Sequence, residues 1–174
     1  DADMKSPQAT KTAANRNRKT FSNRVYLMRH GQAASGQVDS RRPLTEKGRV
    51  DVAKLADFLK PLDISVGVIW HSGKTRAAQT AEIVGSSLKS KGGIGDMQDL
   101  SPNGPVDNIA LEIDAADDNI MIVGHLPFVG RLAAQITTGR PDDFVGFNES
   151  SIVCLGQDRS GKWWLTWMIH PSIL

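Results

Sequence analysis

Two arginines and two histidines, far apart in the chain, each stand just beyond an apolar run. Arg29-His30-Gly31 follows Val25-Tyr26-Leu27-Met28. His71-Ser72 closes the run at 66–70, with Arg76 in the first turn of the helical pattern after it. His125 follows Ile120-Met121-Ile122-Val123-Gly124. Brought together, these side chains would make a cationic pocket. A guanidinium presents a planar fork of donors matched to phosphate oxygens, and a helix N-terminus near Arg76 would add backbone N–H groups suited to an anion. A neutral imidazole is a competent nucleophile toward phosphorus, and flanking arginines favour its neutral form by lowering its pKa. The chemistry such a set would suit is phosphoryl transfer: His30 would attack in line, a phosphohistidine would form and water would hydrolyse it, while Arg29, Arg76 and His125 would meet the charge on the equatorial oxygens. A single transition-state arginine is worth roughly 10³–10⁵ in rate in related phosphoryl chemistry.

Residues so distant meet only if the fold gathers the ends of their strands. In open α/β sheets the carboxyl ends of parallel strands converge on one crevice. The body of this chain alternates short apolar runs with helical patterns, as βαβ units do. Residues 25–28 read as a buried strand, and a polar loop through Gly31, Gly36 and Pro43 follows. Thr45 suits the N-cap of a helix that ends near Lys60 before Pro61, with Val52, Leu55, Ala56 and Leu59 inward. The pattern predicts a strand at 66–70, a helix at 74–88 and a short strand at 97–100. It predicts a helix from Pro105 to about Ile113, a strand at 120–123 and a helix from Pro127 to about Thr138. Gly92, Gly93 and Gly95 form a loop without the spacing of a phosphate-cradling P-loop. Residues 151–155 and 163–169, joined by a polar turn, read as a hairpin. The expected fold is a single α/β domain over residues 23–174, three-layered α/β/α, with a mostly parallel sheet and an antiparallel edge.

Charge is unevenly spread. Residues 1–24 hold six Lys/Arg against two Asp, whereas the remaining 150 residues hold 15 basic and 17 acidic side chains. Residues 1–22 are expected to be a flexible basic leader, and the missing initiator Met points to a processed or engineered start. Because the basic surplus is confined there, nucleic acid is not expected as a partner. No apolar run approaches the roughly 20 residues of a membrane span, and the leader lacks an apolar signal-peptide core. Cys154 is the only cysteine, so no internal disulfide is expected and a reducing cytoplasm fits.

The motifs resemble a known family. Leu27-Met28-Arg29-His30-Gly31, Arg42-Pro43-Leu44-Thr45 with Gly48, the string Ser72 to Thr80 and Val123-Gly124-His125 are similar to the histidine phosphatase (phosphoglycerate mutase-like) superfamily over about residues 24–174. The resemblance implies that fold, with His30 as nucleophile and Arg29, Arg76 and His125 as the phosphate pocket. Arg42-Pro43-Leu44-Thr45, Leu100-Ser101-Pro102-Asn103-Gly104, His125-Leu126-Pro127 and the ending Trp167 to Pro171 look like the SixA-type phosphohistidine phosphatases. That likeness implies an open groove taking a phosphorylated histidine on a protein, such as a phosphotransfer domain in signal transduction. Acid phosphatases of the superfamily carry Asp where this chain has Leu126, and mutase-like members a Glu where it has Leu100-Ser101-Pro102. No strong general acid is visible. An alkoxide leaving group needs one and a phosphoramidate less so, which favours phosphohistidine over sugar phosphates.

Other residues carry plainer readings beside the functional one. Arg42 lines the groove or makes a loop salt bridge. Gln32 contacts substrate or is only solvated, and Gly31 is expected to contact substrate. Ser72 contacts substrate or, by default, caps a helix. His71 is a fifth member of the pocket or, given its offset from the motif, structural, and His170 is a surface bystander. Cys154 with Arg159 has four intervening residues, one short of the cysteine-phosphatase spacing, so Cys154 is a small buried hydrophobe. Trp163, Trp164 and Trp167 pack on the sheet. No H-E-x-x-H or cysteine cluster suggests a metal, and no cofactor is expected. The expected enzyme is a cytoplasmic, monomeric, metal-independent phosphatase. Its partner is a phosphorylated protein or a small phosphorylated metabolite, with no nucleic acid or membrane. The alternatives are a small-molecule phosphomonoesterase or mutase of the same superfamily, and a non-catalytic phosphoprotein-binding module.

Overall fold

The computed structural model describes residues 23–174; the leader assigned to residues 1–22 lies outside the described residues. The chain runs β1 (Asn23–Arg29), α1 (Glu46–Leu59), β2 (Ser65–Val66), β3 (Val68–His71), α2 (Thr75–Gly85), β4 (Lys89–Ser90), β5 (Ile94–Asp96), α3 (Asp107–Ala115), β6 (Ile120–Gly124), α4 (Phe128–Thr138), β7 (Ile152–Gln157) and β8 (Trp163–Ile169). The main sheet has the order β5-β3-β6-β1-β7-β8. Its first four strands are parallel, and β7 and β8 extend it antiparallel as a hairpin.

Side chains alternate faces along a strand, and here both faces are covered. Val25 and Leu27 of β1, Ile120 and Ile122 of β6, and Val153 and Leu155 of β7 pack with Ile109 and Ile113 of α3 and Leu132 of α4. Their neighbours Tyr26, Met28, Met121, Val123, Ile152 and Cys154 pack on the other face with Val52, Leu55 and Leu59 of α1 and Ala77, Ala81 and Val84 of α2. This is the expected three-layer α/β/α arrangement, and it explains why β1 and β6 read as unbroken apolar runs. Thr45 caps α1 as expected, its hydroxyl accepting from Gly48 N–H, and Gly139 ends α4 in a left-handed conformation. Among the described residues no helix is long and apolar enough to cross a membrane.

Four expectations need correction. The strand foreseen at 66–70 is two strands. Gly67 N–H bonds to Asn119 C=O, and a Cβ there would lie 2.8 Å from Asp118 Cβ. The chain pinches at this point, and β2 pairs with β4 in a separate small sheet. α2 stops at Gly85, three residues short of Leu88. A Cβ on Gly85 would meet Ile94 Cδ1 at 2.8 Å, and the Gly-Ser-Ser sequence favours ending a helix. The strand expected at 97–100 is displaced to β5, and residues 98–100 form a 3₁₀ turn with Leu100 buried. β5 has three residues, two of them exposed, so it gives no alternating apolar signal. Trp163 is buried in the core and Trp167 packs against Tyr26. Trp164, however, is exposed, donates to Asp158 and lies under Lys162 Nζ.

Candidate active site

The sheet register assembles the site. Arg29 of β1 lies opposite Gly124 of β6, and His71 of β3 opposite Val123. The chain therefore leaves all three strands side by side. His30 N–H donates to Gly124 C=O (3.0 Å) and Ser150 N–H to His30 C=O (3.1 Å), which fixes the residue from the end of β6 on one side and the segment entering β7 on the other. The His30 and His125 rings lie with centroids 4.8 Å apart, and Arg76 Nε donates to His30 Nε2 (3.3 Å). Both histidines are buried. Arg29 is held by its Nη1 donating to Phe147 C=O (3.2 Å) and by Glu149, whose carboxylate is 3.8 Å from Nη2. The four residues expected to form the pocket thus meet.

The orientation of His30 decides its chemistry. Its Nδ1 is 2.7 Å from Gly31 C=O. A carbonyl only accepts, so Nδ1 carries the proton and Nε2 keeps its lone pair. The Arg76 contact agrees, since a guanidinium only donates. Burial, then the charges of Arg76, Arg29 and Arg42, bring the His30 pKa down to about 4 against the opposing pull of the Gly31 carbonyl. His125 is brought down to about 3 by burial first, then by His30, Arg76, Lys74 and Arg42. Both rings are uncharged at neutral pH. Burial and Arg42 also lower the Arg76 pKa, against the opposing charge of Glu149. Arg29 Nε and His125 Nδ1 are buried without a hydrogen-bond partner, so the floor retains hydrogen-bonding capacity at both ends.

The remaining residues sort into braces and rim. Gly31 N–H donates to Thr80 Oγ1 (3.0 Å), and that hydroxyl donates to Arg76 C=O (2.7 Å). Gly31 is therefore engaged within the protein. A Cβ on it would meet Val52 Cγ2 at 2.8 Å. Gln32 braces the loop on α1: its backbone C=O accepts from Thr45 N–H and its side-chain Oε1 from Thr45 Oγ1. A Cβ on Gly48 would lie 2.2 Å from the Gln32 carbonyl oxygen, so only glycine allows this approach. Arg42 is exposed, donates to Ala34 C=O and reaches the pocket through its charge.

Ser72 caps no helix, a correction to its default reading. Lys74 occupies the N-cap of α2 without a side-chain bond, and Ser72 Oγ lies 2.5 Å from His125 Nε2, holding that ring. His71 Nδ1 accepts from Gly73 N–H and shapes the turn. Cys154 is buried, and burial raises its thiol pKa to about 11, so it offers no thiolate.

Three residues escape the sequence reading. Thr80 joins the nucleophile loop to the Arg76 turn; the available signal is a polar residue four positions past Arg76, on the inward helix face. His170, half-buried, lines two clefts that also take in Arg29. One of about 340 Å³ is polar, with Gln32, Asp51, Asn148 and Glu149; the other of about 360 Å³ is apolar, with Leu126, Phe147 and Met168. Glu149 is a carboxylate beside a pocket arginine, and nothing in its local sequence marks it. Among the described residues no group of three or more His, Cys, Asp or Glu is placed to hold a metal ion.

Comparison with known proteins gives a consistent result. A family model described as the histidine phosphatase superfamily (branch 1) matches residues 25–96. The phosphohistidine phosphatase SixA of Escherichia coli K12 is 31% identical over 155 residues, covering 86% of this chain and 95% of that protein. A structure of the protein histidine phosphatase SixA complexed with tungstate superposes with a TM-score of 0.74 at 31% identity, over 86% of this chain and 98% of the other. A SixA structure from Agrobacterium tumefaciens gives a TM-score of 0.69 at 26% identity, over 87% and 99%.

Proposed function

The chain belongs to the histidine phosphatase superfamily, and on that premise we propose that it dephosphorylates phosphohistidine on a signalling protein, through a covalent phosphohistidine on His30 and without a metal ion. That it is a phosphatase follows from the family together with the similarity to SixA over most of both chains. The substrate and the intermediate are the further reading, and one observation carries the intermediate: His30 Nδ1 is tied to the Gly31 carbonyl, which leaves an uncharged Nε2 at the contact with Arg76.

The steps follow from the geometry. A phosphoryl group entering between Arg29 and Arg76 takes the Arg76 fork away from His30 Nε2 and frees the lone pair. His30 attacks phosphorus in line. As its Nε2 bonds, positive charge spreads to Nδ1–H, where the Gly31 carbonyl accepts it. The two guanidinium groups and His125 hold the equatorial oxygens. Water then attacks the phosphohistidine from the side the leaving group vacated. A dianionic phosphoryl group beside His125 would oppose the cationic charges that add to burial in depressing its pKa.

The phosphohistidine preference draws support from the similarity to SixA and from the absence of a carboxyl group at either position where ester-cleaving relatives are expected to carry their acid, occupied here by Leu126 and Leu100-Ser101-Pro102. The test is a substrate panel of a phosphohistidine-bearing phosphotransfer domain, a phosphoserine peptide and a sugar phosphate. The expected kcat/KM is highest for the phosphohistidine protein, unchanged by EDTA and inhibited by vanadate. Faster turnover of the sugar phosphate would replace this reading with that of a small-molecule phosphomonoesterase. Loss of activity in EDTA would require a metal mechanism.

A further inference from the structure

In-line displacement places the leaving atom opposite the attacking nitrogen. His30 is on the buried floor of the pocket, so the leaving group departs at the mouth. The polar cleft adjoins the pocket through Arg29, which belongs to both, and two carboxylates line it. Asp51 is occupied by Lys47 one helical turn away. Glu149 is different: its side chain is 38% exposed, it sits 3.8 Å from Arg29 Nη2, and its charge is felt at Arg76. Among the described residues no other carboxylate forms an ion pair with Arg29, Arg42 or Arg76.

An ionised carboxylate at the mouth of a phosphate pocket is a liability for most substrates. It repels the incoming dianion, and for an ester it also opposes the negative charge that grows on the departing oxygen. For one leaving group the sign reverses. An imidazole bonded to phosphorus through one nitrogen can carry a proton on the other, and that ring cation both attracts a carboxylate and is the form that leaves readily.

We propose that Glu149 is a specificity-determining residue that accepts a hydrogen bond from the distal ring N–H of the substrate's phosphohistidine and so favours P–N over P–O cleavage. This inference rests on the phosphohistidine reading above. The step balances. The His30 Nε2 lone pair forms the new P–N bond, and the old P–N bond breaks with its electron pair returning to the substrate ring. The ring, protonated beforehand on its far nitrogen, leaves as neutral imidazole with that N–H still on Glu149. No proton has to be delivered to the leaving nitrogen, which accounts for a site without a dedicated general acid. Before substrate binds, the carboxylate rests against Arg29; the phosphoryl group then takes over that guanidinium and releases Glu149 toward the leaving ring.

The experiment compares kcat/KM for phosphoimidazole and phenyl phosphate in the wild-type protein, Glu149→Gln and Glu149→Asp, with thermal melts to confirm folding. The wild type is expected to prefer phosphoimidazole. Glu149→Gln lowers the phosphoimidazole-to-phenyl phosphate ratio by about tenfold, the effect of one pKa unit of lost charge pairing, and Glu149→Asp keeps most of it. If the wild type prefers phosphoimidazole but Glu149→Gln leaves the ratio unchanged, Glu149 only orients Arg29 and the inference is wrong while the functional reading stands. A larger loss on phenyl phosphate would make Glu149 a general acid and also overturn the inference. A wild type that prefers phenyl phosphate defeats the functional reading and this inference together.

Discussion

The floor and the rim of the pocket are built on different principles. On the floor, His30 is fixed through Gly31, Gly124 and Ser150, His125 through Ser72, and Arg76 through the backbone bond from Thr80. The histidines are buried and uncharged, and Thr80 is fully enclosed. At the rim, Arg42 and Glu149 are exposed or nearly so, and each is held by one or two contacts. On the proposed mechanism the floor is preorganised for the transition state, which every phosphoryl substrate shares, and the rim meets the part of the substrate that differs. That reading assigns chemistry to the floor and selectivity to the rim.

Substitutions test that division. His30→Ala is expected to reduce kcat by about 10⁴ or more, as losing a covalent nucleophile does, with little change in melting temperature. Arg76→Ala comes next, with a loss of roughly 10³ in kcat/KM. Thr80→Val leaves the Gly31 N–H buried without an acceptor, at a cost of about 1–3 kcal/mol. Steady-state kinetics should show kcat falling about tenfold with KM nearly constant, and Thr80→Ser should restore it; a melting-temperature loss with unchanged kcat would make Thr80 merely structural. Arg42→Gln should raise KM about threefold or less, in line with an exposed charge that acts at a distance; a thousandfold loss would move Arg42 from rim to floor.

The smallest effect expected is that of pH. On the proposed mechanism only neutral His30 attacks, so with the substrate's own titration divided out kcat/KM should stay level from pH 7 to about 5 and fall to about half near pH 4. An ordinary histidine, with a pKa near 6.5, would have cost most of the activity by then. The same depressed pKa values make the unfolded chain bind more protons than the folded one between about pH 6.5 and 4. Thermal stability should fall as pH drops through that window.

The floor was legible in the sequence because each of its groups lies just past a strong apolar run or on a well-marked helix. Period-2 burial on both faces makes β1 and β6 unmistakable, and parallel topology then dictates convergence. The rim was not legible. Glu149 and Asn148 belong to an irregular segment between α4 and β7. It reaches the site through Ser150 N–H on His30 C=O and Ser151 C=O on Arg29 N–H, with Ser150 at a positive φ of 63°. No periodicity encodes such a path. His170 arrives from the end of β8, where its Nδ1 accepts from Ser172 N–H, so its place beside Arg29 depends on the hairpin register. The break at Gly67 has the same origin, since the residue that forbids a side chain there is Asp118, far along the chain.

The most direct test is a rapid acid-free quench of the enzyme with ³²P-labelled phosphoimidazole, followed by peptide mapping. Labelled phosphate should appear on the peptide containing His30, stable to base and labile to acid, forming no more slowly than turnover and absent from His30→Ala. Turnover without any such adduct, or label on His125 in place of His30, would contradict the account.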